Sequence, residues 1–321
     1  MHDVRFSDRA CPLCAADQKE MVLALTADQI FSGNWSYQPQ QLAPLRLPGD
    51  AVFPIVRCLD CSFVYASRLP DSDFLGAVYD QIIDASAAKL YSFGIESMAA
   101  RMRYVSRLLR LLEGGAAAPS ILDFGCGFGP TLALLSVVGS VQAFGFDTSA
   151  VRVDELRRNG FQVSRDITET KRMAPFDAVI LDNVLEHMAN PSEALQLIRS
   201  LCRDTAIVFV GVPDANTTFL RRQQILLGRG IAASMEINPW EHLNYFDMQH
   251  LDALLASQGF LPLTQAELPG EVEIGLRPER QLTPRLKNAV ASLGRLARYG
   301  LLGDRRQSVN ARFYRCGGTQ P

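Results

Sequence analysis

The stretch Ile121-Leu-Asp-Phe-Gly-Cys-Gly-Phe-Gly129 decides the fold. It opens with an apolar run of strand character and passes through three glycines at alternate positions. It then leads into residues 130–138, a helical pattern with Pro130 in its first turn and Gly139 after it. Such a passage from strand to helix is where open α/β sheets bind ligands. Gly125, Gly127 and Gly129 can adopt positive φ and carry no Cβ, so backbone N–H groups can approach a ligand closely. The spacing is G-x-G-x-G, not the G-x-G-x-x-G of dinucleotide folds, and Asp123 sits where it would repel a pyrophosphate. It would attract an amino group. Asp147 follows Gly127 by twenty residues, at the end of the next apolar run, where an acid accepts hydrogen bonds from ribose hydroxyls. Together these features ask for a nucleoside without phosphates. Taken singly, they are a tight turn and a helix cap.

Outward from this turn, apolar runs at 121–124, 141–146, 176–181 and 206–212 alternate with helical patterns at 149–158, 191–202 and 247–258, and a last strand is expected at 311–316. That alternation predicts an α/β fold with a doubly wound, mostly parallel sheet. Before it, Met98, Met102, Val105, Leu108, Leu109 and Leu112 recur at helical spacing over 96–113, ended by Gly114-Gly115. The division expected is a compact, irregular module over 1–72, a linker with an amphipathic helix over 73–115, and a cofactor domain over 116–321. The 321 residues, 48% hydrophobic, suffice for one larger core and one smaller. A net charge of -2 does not suit a whole-chain nucleic-acid binder. No apolar run nears the roughly 18 residues of a membrane span, and no signal peptide is evident, so a cytoplasmic location is expected.

The chain resembles the class I methyltransferases, which have a Rossmann-like fold, over roughly residues 75–321. The resemblance implies that Asp123, Gly125, Gly127 and Gly129 hold the methionine part of S-adenosylmethionine, Asp147 the ribose, and Asp166 in Val-Ser-Arg-Asp-Ile the adenine amine. Phe176-Asp-Ala-Val-Ile-Leu-Asp-Asn-Val-Leu-Glu-His187, with Asp182, looks like the family's fourth-strand motif, which lines the methyl-transfer site. Trp240-Glu-His-Leu-Asn-Tyr-Phe246 is similar to a subgroup acting on small molecules and sugars, which often carries an N-terminal zinc module.

In a reducing compartment the seven cysteines are not a disulfide framework. Cys11-Pro-Leu-Cys14 and Cys58-Leu-Asp-Cys61 are two C-x2-C knuckles, and four such thiolates enclose a structural Zn2+ tetrahedrally. The alternative is four reduced thiols packed as small hydrophobes; Cys126, Cys202 and Cys316 are expected to do just that. Methyl transfer needs a base only if the acceptor must lose a proton, and imidazole suits that task. The candidates are His242, favoured because the 214–246 insertion would bring Trp240 and Tyr245 into an acceptor pocket, and His187 after the fourth strand. Each is as well read as a structural histidine. His2 falls in a tail, His250 on an outward helix face. Glu186 would orient His187 or cap a helix.

Between Arg277 and Arg315 ten basic residues face two acids, a local net of 10 − 2 = +8. A helix at 286–297 would carry this charge, either for an anionic acceptor or as a solvated face. The expected function is S-adenosylmethionine-dependent methyl transfer to a small-molecule or sugar acceptor. RNA is the alternative acceptor, disfavoured by the 6 − 7 = −1 charge of residues 1–70. A non-catalytic cofactor-binding scaffold is the third reading.

Overall fold

A computed structural model describes residues 6–34, 36–37, 51–138, 140–270 and 309–317. His2 and the helix expected at 286–297 lie outside the described residues. So does most of the basic segment.

The N-terminal part contains β1 (Phe6–Asp8), β2 (Lys19–Thr26), α1 (Ala27–Gly33), β3 (Val52–Cys58), β4 (Val64–Ala66) and β5 (Arg68–Pro70). It is more regular than expected. Leu23 and Leu25 on β2, and Phe53 and Ile55 on β3, alternate inward at the strand period, and the antiparallel pairing of the two strands shifts register once, between Met21 and Leu23. Thr26 and Gln29 form a reciprocal capping box at the start of α1. Then follow α2 (Ser72–Ala77), a single wide helical turn, α3 (Ala85–Ser92) and α4 (Ile95–Leu111). Of the expected apolar stripe of α4, Val105 and Leu108 are buried, joined by Tyr104, whose ring stacks on Phe209; Met102 is exposed.

The remainder is β6 (Ser120–Phe124), α5 (Pro130–Val138), β7 (Gln142–Phe146), α6 (Ala150–Arg158), β8 (Val163–Ser164), α7 (Ile167–Met173) and β9 (Phe176–Asp182). After a short 3-10 turn (Leu185–His187) come α8 (Pro191–Leu201), β10 (Cys202–Pro213), α9 (Thr217–Gly228), β11 (Asn244–Tyr245), α10 (Met248–Ser257), β12 (Phe260–Pro262) and β13 (Val309–Cys316). Seven strands form one sheet in the order β12-β13-β10-β9-β6-β7-β8, parallel except for β13, which runs antiparallel to both its neighbours. The chain leaves β6 toward β7 and later returns to β6's other side as β9, so the order reverses between them. That switch point opens a crevice beyond the carboxyl ends of β6 and β9.

A second sheet has the order β11-β4-β3-β2. Its edge strand β11 comes from the segment between β10 and α10, so the N-terminal strands are stitched to the cofactor domain. Their apolar residues are continuous too: Cys11, Cys58, Phe63 and Tyr65 belong to the same core as Leu122, Val179 and Val208 of the large sheet. No helix among the described residues is long and apolar enough to cross a membrane.

Candidate active site

The glycine turn has the backbone that its sequence requires. Gly125, Gly127 and Gly129 have φ of 79°, 55° and 76°. A Cβ on Gly129 would lie 2.5 Å from Leu156 and one on Gly125 2.7 Å from Val184, so those two glycines serve packing. Gly127 has open space there. Its N–H donates to Asp147 Oδ2 at 2.8 Å, and Ser149 N–H donates to Oδ1 at 2.9 Å. Each carboxylate oxygen of Asp147 is thus aimed by one backbone donor and keeps acceptor capacity for a ligand.

Asp123 is buried at the end of β6, and its Oδ2 has no hydrogen-bond partner. Burial, with Asp182 nearby, pushes its pKa up to about 8 against the pull of Arg101. A carboxyl stranded in this way fits a cationic amine. Arg101 of α4 is the matching cation for a carboxylate: its Nε is buried without a partner, while Nη2 lies 3.4 Å from Asp182 Oδ2. Asp182 also accepts from Tyr104 Oη at 3.2 Å and from Asn183 Nδ2 at 3.1 Å, and burial raises its pKa. Asp166 is exposed and caps α7 by accepting from Thr168 N–H at 2.8 Å. A stranded acid, an arginine with a free donor and an acid aimed at hydroxyls match the ammonium, carboxylate and ribose of S-adenosylmethionine.

A second group of side chains, among them His187 and His242, adjoins this crevice. Arg152 lies over the rings of Phe128 and Tyr79 and 4.0 Å from Asp147, and Tyr79 Oη lies 3.1 Å from His187 Nδ1. The His187 and His242 rings meet edge to face with centroids 4.8 Å apart. Two segments are tied together here: Leu243 N–H donates to Glu186 O, and the Asn244 side-chain Nδ2 to the carbonyls of Leu185 and Met188. Nδ1 of His187 lies 2.9 Å from Glu241 O, and Nδ1 of His242 2.9 Å from Glu236 O. A carbonyl only accepts, so each Nδ1 carries the proton and each Nε2 is bare. Burial, reinforced by His242, holds His187 down at about 3, and burial holds His242 at about 4. Both rings are neutral at pH 7, with a basicity below the range in which a general base works best. Glu186 is 1% exposed, neither oxygen is hydrogen-bonded, and burial raises its pKa strongly. It neither caps a helix nor closes on His187, whose Nε2 is 3.9 Å away.

Two further expectations are corrected. Trp240 and Tyr245 line no acceptor pocket: Trp240 is wholly buried among Phe31, Tyr37, Phe53 and Phe74, and Tyr245 belongs to the same core, because the 214–246 segment packs on the N-terminal sheet. His250 does not face outward. It bonds Asp247 Oδ1 and Cys61 O, at 2.7 and 2.8 Å.

The four cysteines converge. Cys11 and Cys61 Sγ are 3.6 Å apart, Cys14 and Cys58 Sγ 3.5 Å, and all four sulfurs lie within 4.8 Å of one another. Zn–S bonds of about 2.3 Å in a tetrahedron would separate sulfurs by about 3.8 Å, so the donor set fits zinc. The knuckles repeat one backbone form, with Ala15 and Ser62, each just past its second cysteine, at φ 62° and 66°. Cys126, Cys202 and Cys316 are buried packing residues.

A family model described as "Methyltransferase domain" matches residues 97–265. No curated protein sequence matches the chain. Among solved structures, the chain is similar to a SAM dependent methyltransferase from Archaeoglobus fulgidus (17% identity, 76% of this chain and 100% of that one, TM-score 0.41). It is also similar to the 1,6-didemethyltoxoflavin-N1-methyltransferase of Burkholderia thailandensis (14% identity, 82% and 99%, TM-score 0.45). These likenesses are remote. The family match spans more than half of the chain and takes in the glycine turn, Asp147 and both histidines. The chain therefore belongs to the methyltransferase-domain family and is a class I S-adenosylmethionine-dependent methyltransferase.

Proposed function

We propose that the protein methylates a small-molecule or sugar acceptor, activated by His187 and His242, and that Cys11, Cys14, Cys58 and Cys61 hold one structural zinc ion. S-adenosylmethionine, when bound, supplies a methyl group on a positively charged sulfur that is open to in-line displacement. Asp123 then takes the ammonium of its methionine part and Arg101 the carboxylate, with Asp182 holding Arg101 in place. Gly125, Gly127 and Gly129 shape the backbone against that part, Asp147 receives the ribose hydroxyls, and the free oxygen of Asp166 meets the adenine amine.

The observation that carries the acceptor class is recession. The Glu186 side chain is 2% exposed and that of His187 22%, so the groups facing the acceptor are reached by a small molecule entering the crevice. A base within RNA would first have to be unstacked and extruded. Of the basic segment, Arg312 is paired with Asp252 and Arg315 with Glu267, leaving neither as a free phosphate contact. Incubation with methyl-labelled S-adenosylmethionine and either a pooled small-molecule extract or total RNA tests the reading. Label is expected in the low-molecular-weight fraction; label in RNA alone refutes it.

A further inference from the structure

Three Lewis bases converge beside the crevice. Glu186 presents a buried carboxyl with no donor among the described residues, and His187 and His242 each present a bare Nε2. Their ligand atoms lie within 4.8 Å of one another. Stranding a carboxyl in this way costs free energy unless something cationic occupies the gap. Neither imidazole does so, because its proton is committed to a backbone carbonyl on the other ring nitrogen.

We propose that Glu186, His187 and His242 bind one divalent first-row transition-metal ion, distinct from the four-cysteine site. Two imidazoles and one carboxylate on one side of an ion leave its other positions open, the donor set of mononuclear oxygen-binding centres. The outer contacts also fit, since a metal-bound histidine usually donates its second ring N–H to a carbonyl or carboxylate, which fixes the tautomer. Here Glu241 O and Glu236 O take that role. Ligand bonds of about 2.1 Å would draw the three atoms to about 3 to 3.5 Å apart. Glu186 Oε1 and His187 Nε2 are 3.9 Å apart and the whole set lies within 4.8 Å, so the three atoms would close by about 0.5 to 2 Å. Soft thiolates select a different ion, so the two sites need not compete.

The inference deepens the proposed function and rests on the placing of these residues at the acceptor. An ion there would favour an acceptor carrying a hydroxyl or enol oxygen over an amine.

Mn2+ is the probe, because it is visible by electron paramagnetic resonance and avoids thiolate sites. The full-length protein, freed of labile metal, is titrated with Mn2+, and the bound ion is examined for 14N coupling by spin-echo modulation. The expected result is one Mn2+ per chain, coupled to imidazole nitrogen, with affinity at least tenfold weaker in Glu186→Gln and in His242→Ala. No bound Mn2+, bound Mn2+ without nitrogen coupling, or affinity unmoved by both substitutions overturns the proposal. The nitrogen coupling is read on the unaltered protein, so it stands even if a variant fails to fold. Calorimetry of S-adenosylmethionine binding on the same samples keeps the readings apart: cofactor binding without Mn2+ refutes only the metal site, and Mn2+ without cofactor binding refutes only the methyl-transfer assignment.

Discussion

Asp123 should make cofactor binding depend on pH with a predictable slope. Its pKa near 8 in the free protein means that about nine in ten molecules hold it protonated at pH 7. The ammonium of S-adenosylmethionine prefers the carboxylate, so binding must first remove that proton. Below pH 8 the affinity should then rise nearly tenfold per pH unit. Between pH 5.5 and 7 the ratio (1 + 10^2.5)/(1 + 10^1) gives about thirtyfold, in a window where the ligand's own amine stays protonated. Folding runs the other way. Because the folded pKa is raised above the unfolded value, the ligand-free protein is most stable below pH 4 with respect to this group, and that contribution is lost as pH rises through about 8. Calorimetry in buffers of different ionisation enthalpy reads both quantities, and close to one proton per chain should be released on binding at pH 6. Asp123→Asn should abolish the proton release and flatten the pH profile. A dissociation constant constant from pH 5.5 to 7, or unchanged proton release in the variant, would refute the placing of the ammonium on Asp123.

Other outcomes follow from the same geometry. Gly127→Ala meets no atom within 4 Å but must hold φ near 55°, so it should cost about 1 kcal/mol of stability while weakening cofactor binding at least tenfold; equal binding in a titration would show that the cofactor does not approach this turn. One zinc per chain is expected by elemental analysis. Cys58→Ser should lower the melting temperature of the whole chain in a single transition, because Cys58 shares a core with the large sheet, and two separate calorimetric transitions would contradict this. His242→Ala should cut turnover at least a hundredfold with little change in cofactor affinity, and turnover that survives would make the histidine structural. Arg9→Met should reduce turnover more than it reduces cofactor affinity, because Arg9 holds the chain beside both histidines, and equal losses of both would refute that role.

The readable parts of the chain were those whose chemistry is local. Glycines at alternate positions, an acid two residues before them and an acid twenty residues after them place the cofactor turn without knowledge of anything else, and the two C-x2-C pairs announce their own convergence. Arg101 was not readable: on α4 it is one of several arginines, and only the docking of that helix over β9 sets it beside Asp182. Trp240 misled for a related reason. An aromatic residue beside a histidine suggests a pocket, yet the neighbours that bury it come from α1, α2 and β3, far away in sequence. The two-pair bridge from β4 to β11 carries the same lesson, since two residues of strand, Asn244 and Tyr245, have no periodicity to detect.

That bridge changes what the N-terminal part is for. If the cysteine knuckles and their strands formed an independent domain, few contacts would cross to the large sheet, but several cross, some of them to residues beside the two histidines. Arg9 precedes the first knuckle; its guanidinium donates to Ala66 O at 2.8 Å and Ala189 O at 3.0 Å, and also to Leu243 O, while reaching Asn244 Oδ1 at 3.2 Å. One half-buried cation thereby ties β4, the chain just after His187 and the chain just after His242. Its desolvation, which lowers its pKa to about 10, is offset by these acceptors. The second knuckle is held to α10 by His250. Tyr37 and Asn238 grip Glu241, whose carbonyl fixes the His187 tautomer. A metal in the four-cysteine site, remote from any reacting atom, would stiffen the framework from which both acceptor-facing imidazoles hang. The N-terminal strands are better regarded as the floor of the proposed acceptor site than as an appendage to the large sheet.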